Sequence, residues 1–400
     1  MYWQYPVVVN LIVEEKSSLQ FPAVSVCNLN RMINNDTQCE DNRPRINDGV
    51  SLVFSELSSL SNCKKTENGT TELNEKNNGA LKFLMEYYKL GENERSRLGH
   101  DRNRFLDGCL FNGRTCSKVL LENFSNYRYG SCITFNKRIH GVEPLRISET
   151  GFSSGLVLKL NIEACYYLPS THTQGVRVVI HNPEDIPKPE EDGFNVSPGY
   201  ETTVSLRQKI IRRLPSPYKD RCVDFKAKTN GTVNNKIECI RTCIQEYNFA
   251  KCRCTDPTLA VMKHLRPCDF MNATQACCLD DVLIAMARNS TMCKCPLPCE
   301  SIYYDEKLST ARLPSETLFI DEKTDLSAIF KDMRFRYESV RLNVFYSSLE
   351  RHVYEQRAKF QPSELFSYLG NELALWLGLS LVAIAELTEK LVISIKYLVI

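Results

Sequence analysis

Four hundred residues carry 50 basic and 48 acidic side chains, a formal net charge of +2. That balance excludes the electrostatic footprint of a nucleic-acid binder, since Arg212 and Arg213 form only a pair and no long basic run occurs. The length allows one large or two or three small domains, and eighteen cysteines place the chain in an oxidising compartment where disulfides persist.

Taken in chain order, residues 1–13 (MYWQYPVVVNLIV) lack the basic start and small-residue cleavage site of a secretory signal. Their apolar run is too short to span a bilayer. The simplest expectation is that residues 1–18 are the end of a first membrane segment whose upstream part this chain lacks. Residues 19–30 (LQFPAVSVCNLN) alternate as a strand. Residues 31–150 are polar and read as an exposed insertion, with a helical stretch at 79–89. Alternation returns at 155–163 and 175–181, with a Pro- and acid-rich loop at 183–199. Residues 219–300 are cysteine-rich with helical pieces. The last strand, 339–346, puts Val340, Leu342, Val344 and Tyr346 on one face. The expected fold class is α+β: a sheet assembled from distant segments, with a disulfide-rich module inserted before its last strand.

Pro362 and Ser363 mark a turn and cap before a final helix, expected over 363–400. Residues 365–385 carry one charge, Glu372, and Glu386 and Glu389 follow. About 20 mostly apolar residues span a bilayer as a helix. On one continuous helix Glu372, Leu379 and Glu386, seven apart, share a face. Acids at membrane depth usually face water, a partner or an ion path, so a pore-lining helix competes with a single-pass anchor.

Asn35, Asn68, Asn123, Asn195, Asn230, Asn272 and Asn289 each head an N-x-S/T acceptor, which supports exposure to the lumen. Cys239 and Cys243 share a helix face, and Cys293 and Cys295 share one side of an extended segment. Facing pairs of this kind make rungs of a disulfide ladder. Zinc is the weaker reading, with no C-x-x-C pair and no histidine at ligand spacing. No nucleophile elbow, H-E-x-x-H or P-loop occurs, so no enzyme and no cofactor are expected. The acids Glu184, Asp185, Glu190, Glu191, Asp192, Asp280 and Asp281 read either as a cation or proton sensor or as solvated loops.

Several of these segments resemble one family. Phe21-Pro-Ala-Val-Ser-Val-Cys27-Asn28, Leu214-Pro-Ser-Pro-Tyr218, the cysteine series from 222 to 299, and Trp376-Leu-Gly378-Leu379-Ser380 are similar to the degenerin, epithelial sodium channel and acid-sensing ion channel family. The wording of the last motif is most like invertebrate members such as the pickpocket group. The resemblance runs from about residue 5 to 397. It implies a trimer, or a heterotrimer with family subunits, in the plasma membrane, with two membrane helices per complete subunit. It implies a sodium-selective, often amiloride-blocked pore and a mainly extracellular chain over 19–362. In that scheme a finger occupies about 31–150, palm and β-ball strands about 19–30, 152–214 and 338–350, and a thumb about 219–300.

Carried over by position, the filter is Gly378, Leu379 and Ser380, the blocker contact is Ala374, and Glu372, Glu386 and Glu389 flank the pore. Tyr5 and Tyr218 match a wrist contact that couples thumb to membrane helix. The implied bridges are Cys27–Cys132, Cys109–Cys116, Cys222–Cys299, Cys239–Cys295, Cys243–Cys293, Cys254–Cys268 and Cys252 with Cys277 or Cys278. Cys39–Cys63 is a further expected bridge, and Cys165 is unplaced. Glu364 stands where the family has a small residue and where bulk holds the pore open, and Asn371 stands where it has glycine. Glu184, Asp185 and Asp280 match the acid-sensing pocket, but Ile284 replaces a further acid, and Pro6 and Val7 replace a histidine pair. Gating by protons is therefore not implied. The alternative class is a single-pass receptor or adhesion ectodomain, with a non-conducting regulatory subunit between the two.

Overall fold

Valine-rich residues near the start of the chain pair with a strand near its end. In the computed structural model β1 (Val7–Glu15) lies antiparallel to a strand at 339–358, from Val7 opposite Ala358 to Glu15 opposite Glu350. Within the expected membrane end and wrist over 1–18, the β-branched run of residues 7–15 forms a sheet strand. The structure describes residues 5–34, 63–65, 71–73, 85–139, 141–168, 171–225, 235–259, 262, 264–288, 293–313, 338–360, 362–378 and 380–399.

The strands continue as β2 (Leu19–Gln20), β3 (Ala23–Asn28), β4 (Cys63–Lys65), β5 (Thr71–Leu73), β6 (Leu106–Phe111), β7 (Arg114–Thr115), β8 (Leu121–Asn126) and β9 (Gly130–Phe135). They end with β10 (Arg146–Ile147), β11 (Leu156–Asn161), β12 (Val176–His181), β13 (Phe194–Val196), β14 (Tyr200–Arg212), β15 (Glu300–Arg312) and β16 (Ser339–Ala358). Helices are α1 (Glu92–Leu98), α2 (Arg102–Phe105), α3 (Lys236–Cys252), α4 (Ala273–Arg288), α5 (Pro362–Leu377) and α6 (Leu381–Val399).

One sheet runs β15-β14-β16-β11-β6-β7, with β1 on the far half of β16. A second runs β13-β12-β3-β9-β8. Alternate residues of each point inward and form one core: Val24, Val26 and Ile133 from the second sheet meet Leu158, Val204 and Leu342 from the first. Burying each such side chain contributes about 1.5–3 kcal/mol. Phe21 sits at the join, fully buried, with edge-on contacts to Phe111, Phe135 and Tyr346.

The reading of 31–150 as an exposed insertion is corrected in part. Its residues 106–111, 121–126 and 130–135 supply strands to both sheets, and β9 is buried between β3 and β8, with Cys132 bridged to Cys27 on β3. Within the expected 79–89 helix, residues 85–89 are helical.

Helix α3 starts where Asn235 Oδ1 accepts from Glu238 N at 2.9 Å. Asn272 Oδ1 accepts from Thr274 N at 3.0 Å at the start of α4. These two helices form the cysteine-rich module between β14 and β15.

Candidate functional site

The neck between the sheets and the last two helices is the first part of the site. Lys359 N donates to Pro6 O at 2.9 Å just past the last β1–β16 pair. Tyr5 then turns into the left-handed region, φ 47°. Its ring meets Tyr218 edge-on, centroids 5.9 Å apart and planes at 79°.

Tyr218 belongs to a loop fixed at both ends. Leu214 N donates to Gln356 Oε1 of β16 at 3.0 Å, and Gln356 Nε2 donates to Asp220 Oδ2. The Cys222–Cys299 bridge and Arg213 N to Cys299 O, 2.8 Å, tie the same loop to the base of the helical module. Phe360, at the end of β16, packs edge-on against Tyr368 of α5 at 6.4 Å. An unbroken series of contacts therefore joins module, loop, neck and α5.

The helical module is stapled along its length. Cys239–Cys295 and Cys243–Cys293 form two rungs from one face of α3 to an extended segment. Cys252–Cys278 ties α3 to α4, and Cys254–Cys268 closes the turn between them. Cys109–Cys116 closes the β6–β7 hairpin. Cys165 and Cys277 are also disulfide-bonded. Cys39 and the Cys63 side chain lie outside the described residues, and so does the expected bridge between them.

The second part of the site is the break between α5 and α6. A single helix over 363–400 was expected from the sequence, and the structure corrects this. Gly378 adopts φ 61° and its N–H closes the last turn on Ala374 O at 3.1 Å. Ser380 Oγ accepts from Ala383 N at 3.1 Å and caps α6. A left-handed glycine ends one helix and a serine starts the next. Glu372 and Glu386 therefore lie on separate helices, and their spacing no longer sets them on one face of a continuous helix.

The last carbonyls of α5 have no partner within the helix, a place where a cation is favoured. Glu372 accepts from Trp376 Nε1 at 2.8 Å, one turn away. Ala374, Glu364, Glu386 and Glu389 are exposed, and Leu379 lies outside the described residues. Among the described residues no helix is long and apolar enough by itself to cross a membrane. Helix α5 has 16 residues, at 1.5 Å each about 24 Å against the ~30 Å of a hydrocarbon core. Helix α6 carries Glu386, Glu389, Lys390 and Lys396.

The acids of the expected pocket come from two elements. Glu184 and Asp185 sit in the turn after β12, where Arg138 Nη1 pairs with Glu184 at 2.5 Å and its Nη2 with Glu143 at 3.1 Å. Asp280 lies on α4, with Oδ2 buried and without a hydrogen-bond partner. Burial pushes its carboxyl up to about 6, helped by Asp281 and then Asp256. The raised value means the folded protein holds the proton more tightly than the unfolded chain. Stability from this group is therefore present at low pH and falls as pH rises from about 4 through 6. Asp280→Asn should raise the thermal midpoint at pH 7.4 and leave it little changed at pH 4.5, as read by unfolding of the purified protein. An equal shift at both values would remove the buried charge as the cause.

Sequence reasoning missed two clusters. Arg241 of α3 pairs with Glu190 at 3.2 Å and Glu191 at 2.7 Å, fastening the module to the 183–193 loop. Buried His100 Nδ1 donates to Glu163 Oε2 at 2.8 Å, and Arg104 reaches Glu163 Oε1 at 3.2 Å. Both join residues more than 49 positions apart, a separation for which one sequence carries no local signal. Of the glycan acceptors, Asn123, Asn195 and Asn272 are exposed, and Asn35, Asn68, Asn230 and Asn289 lie outside the described residues.

A disulfide-rich α+β body, joined through an aromatic neck to a helix broken at Gly-x-Ser, is the layout of a channel subunit with a large ectodomain. A family model described as amiloride-sensitive sodium channel matches residues 1–389. The chain belongs to that family of cation channels, whose members include the degenerins and the acid-sensing ion channels. It is similar to Degenerin mec-10 of Caenorhabditis elegans, 29% identical over 306 residues, which cover 74% of this chain and 42% of the relative. Degenerin mec-4 of Caenorhabditis briggsae is 29% identical over 309 residues, 74% of this chain and 39% of the relative. Acid-sensing ion channel 1A of Danio rerio is 28% identical over 419 residues, 99% of this chain and 78% of the relative. The chain thus spans about two fifths of the length of the two degenerins.

Proposed function

We propose that this chain is a subunit of a trimeric, sodium-selective, amiloride-sensitive channel of the plasma membrane, with residues 19–362 outside the cell. The observation that carries the reading is the helix break at Gly378 and Ser380. Small residues let three helices approach there, and freed backbone carbonyls replace part of an ion's hydration. Irregular backbone at membrane depth is tolerated where it lines water. In this reading Gly378, Leu379 and Ser380 form the filter and Ala374 contacts the blocker. Glu372, Glu386 and Glu389 concentrate cations.

Helices α5 and α6 together form the crossing. Their exposed Phe366, Leu375, Trp376, Val382 and Leu387 need lipid or neighbouring helices to cover them. The α3–α4 module is the thumb, Tyr5 and Tyr218 form the wrist, and Asn123, Asn195 and Asn272 are glycan acceptors. Glu184 is held in an ion pair with Arg138, and Glu190 and Glu191 share Arg241. That argues against a proton stimulus built on those acids.

The test is the full-length protein in oocytes, alone and with family subunits. A sodium-selective current blocked by amiloride is expected, with block weakened at least tenfold by Ala374→Trp. Surface delivery without current in every combination would favour the anchored receptor or a regulatory subunit. Cysteine accessibility along 372–389 separates these: protection by blocker marks a pore, and uniform lipid shielding an anchor.

A further inference from the structure

We propose that Arg31 and Arg95 hold a small monovalent anion, of halide size, at the joint between the sheet body and the α3–α4 module. The two guanidiniums cap the ends of one stack of tyrosines. Arg31 lies over the ring of Tyr87, 5.3 Å from its centroid. Tyr87 meets Tyr88 edge-on at 6.3 Å, and Tyr88 meets Tyr127 at 5.3 Å. Arg95 closes the stack over Tyr127, at 4.4 Å. Burial raises the Tyr87 phenol, and Arg31 and then Arg95 oppose that rise, so both cations lie in its neighbourhood.

The charge of this pair is not balanced by the protein. Arg104, Arg138, Arg241 and Arg351 each reach a carboxylate. Among the described residues Arg31 and Arg95 reach none. Arg31 Nε donates to Arg128 O at 2.9 Å, and Arg95 Nη1 to Leu90 O at 2.5 Å, and both acceptors are neutral carbonyls. The carboxylates that act on the stack, Asp256 and Glu190, are engaged by Thr258 and Arg241. Arg95 is only 5% exposed, and its Nε is buried with no hydrogen-bond partner. A buried cation without a counter-charge and a buried N–H without an acceptor are both costly. One anion at that nitrogen removes both costs.

The walls select the kind of anion. Guanidiniums occupy faces of Tyr87 and Tyr127, and the ring edges left over carry the positive end of the quadrupole. A phosphate or sulfate is recognised by several converging donors. Here one buried N–H is open, which suits a monatomic anion against an aromatic wall. The position gives the anion a structural consequence. Arg31 follows β3, Tyr127 lies in the β8–β9 turn, and Arg95 is in α1. Met85 and Tyr88, from the helical residues 85–89, pack against Cys254, Cys268, Phe270 and Leu279 of the module. The anion therefore sits where residues 85–95 bridge body and module, away from the neck. The inference does not depend on conduction.

Crystals of the full-length protein grown in sodium bromide test it directly. An anomalous bromide peak is expected within hydrogen-bond reach of Arg95 Nε. A position filled by water alone, or by a carboxylate side chain, would overturn the proposal. Thermal unfolding of the full-length protein in detergent, with sodium chloride replaced by sodium gluconate at constant ionic strength, is the second measurement. The midpoint is expected to rise with chloride and to saturate. Arg95→Gln and Arg31→Gln should each weaken the apparent chloride affinity at least tenfold. Arg207→Gln, at an exposed position on β14, should leave it unchanged. A midpoint indifferent to chloride, or a chloride dependence undiminished in Arg95→Gln, would count as refutation. Should the variants fail to fold, the bromide map of the unaltered protein still decides.

Discussion

Gly378→Val is expected to reduce sodium current at least a hundredfold at unchanged surface delivery. At φ 61° a residue with a Cβ loses about 1–2 kcal/mol, and a β-branched side chain is a clear outlier there. A Cβ built on Gly378 meets nothing within 4 Å, so the cost is in the backbone and not in a clash. The substituted chain relieves it by continuing α5 into α6. That withdraws the end carbonyls of α5 from the break and removes the start that Ser380 caps. Straightening should therefore abolish the path while the disulfide-stapled body, far along the chain, folds as before. Gly378→Ala, with a smaller penalty, should retain part of the current with weakened sodium selectivity. Reversal potentials and surface biotinylation read both effects. Wild-type current and selectivity in Gly378→Val would mean that the break plays no part in conduction.

This break also shows where sequence reasoning stopped short. Hydropathy marked 365–385 correctly as apolar, and Gly378 and Ser380 were singled out as small. Yet both residue types are tolerated inside a helix, and only the backbone shows that here they end one helix and begin another. The sheets were more legible. Period-two alternation found β3, β11, β12 and the first half of β16, whose inward faces are apolar and buried, although β3 is buried on both faces. It lost the second half, 347–358, whose polar residues pair with β1 and β14 and bury little. It gave no strand at β1, whose exposed Val9, Leu11 and Val13 carry no burial signal when taken without their partner strand. The pairs that fasten the module to the body, Arg241 with Glu190 and Glu191, have no local pattern at all. They arise from the path of the 183–193 loop over α3, which only the assembled fold defines.

Tyr218→Ala should shift the balance of open and closed channels on the order of 100-fold, with Tyr218→Phe close to wild type. The ring of Tyr218 is the only part of its loop that meets Tyr5 among the described aromatic contacts. Its other ties, Leu214 to Gln356 and Cys222 to Cys299, run to β16 and to the module. Removing the ring thus cuts one link and leaves the loop anchored. An edge-on aromatic pair contributes about 0.5–1.5 kcal/mol beyond burial. In the proposed trimer, a loss of about 1 kcal/mol per subunit in one state moves the equilibrium by about 3 kcal/mol, roughly two powers of ten. The same contact in a single isolated subunit would change stability too little to unfold anything, so surface delivery should be normal. Phenylalanine keeps the edge-on geometry and loses only the hydroxyl, which separates ring packing from hydrogen bonding. Single-channel open probability, compared at equal surface expression, decides the matter. If Tyr218→Ala left it unchanged while Cys222→Ser altered it, motion of the helical module would have to reach α5 through β16 and Phe360 instead of through the neck aromatics.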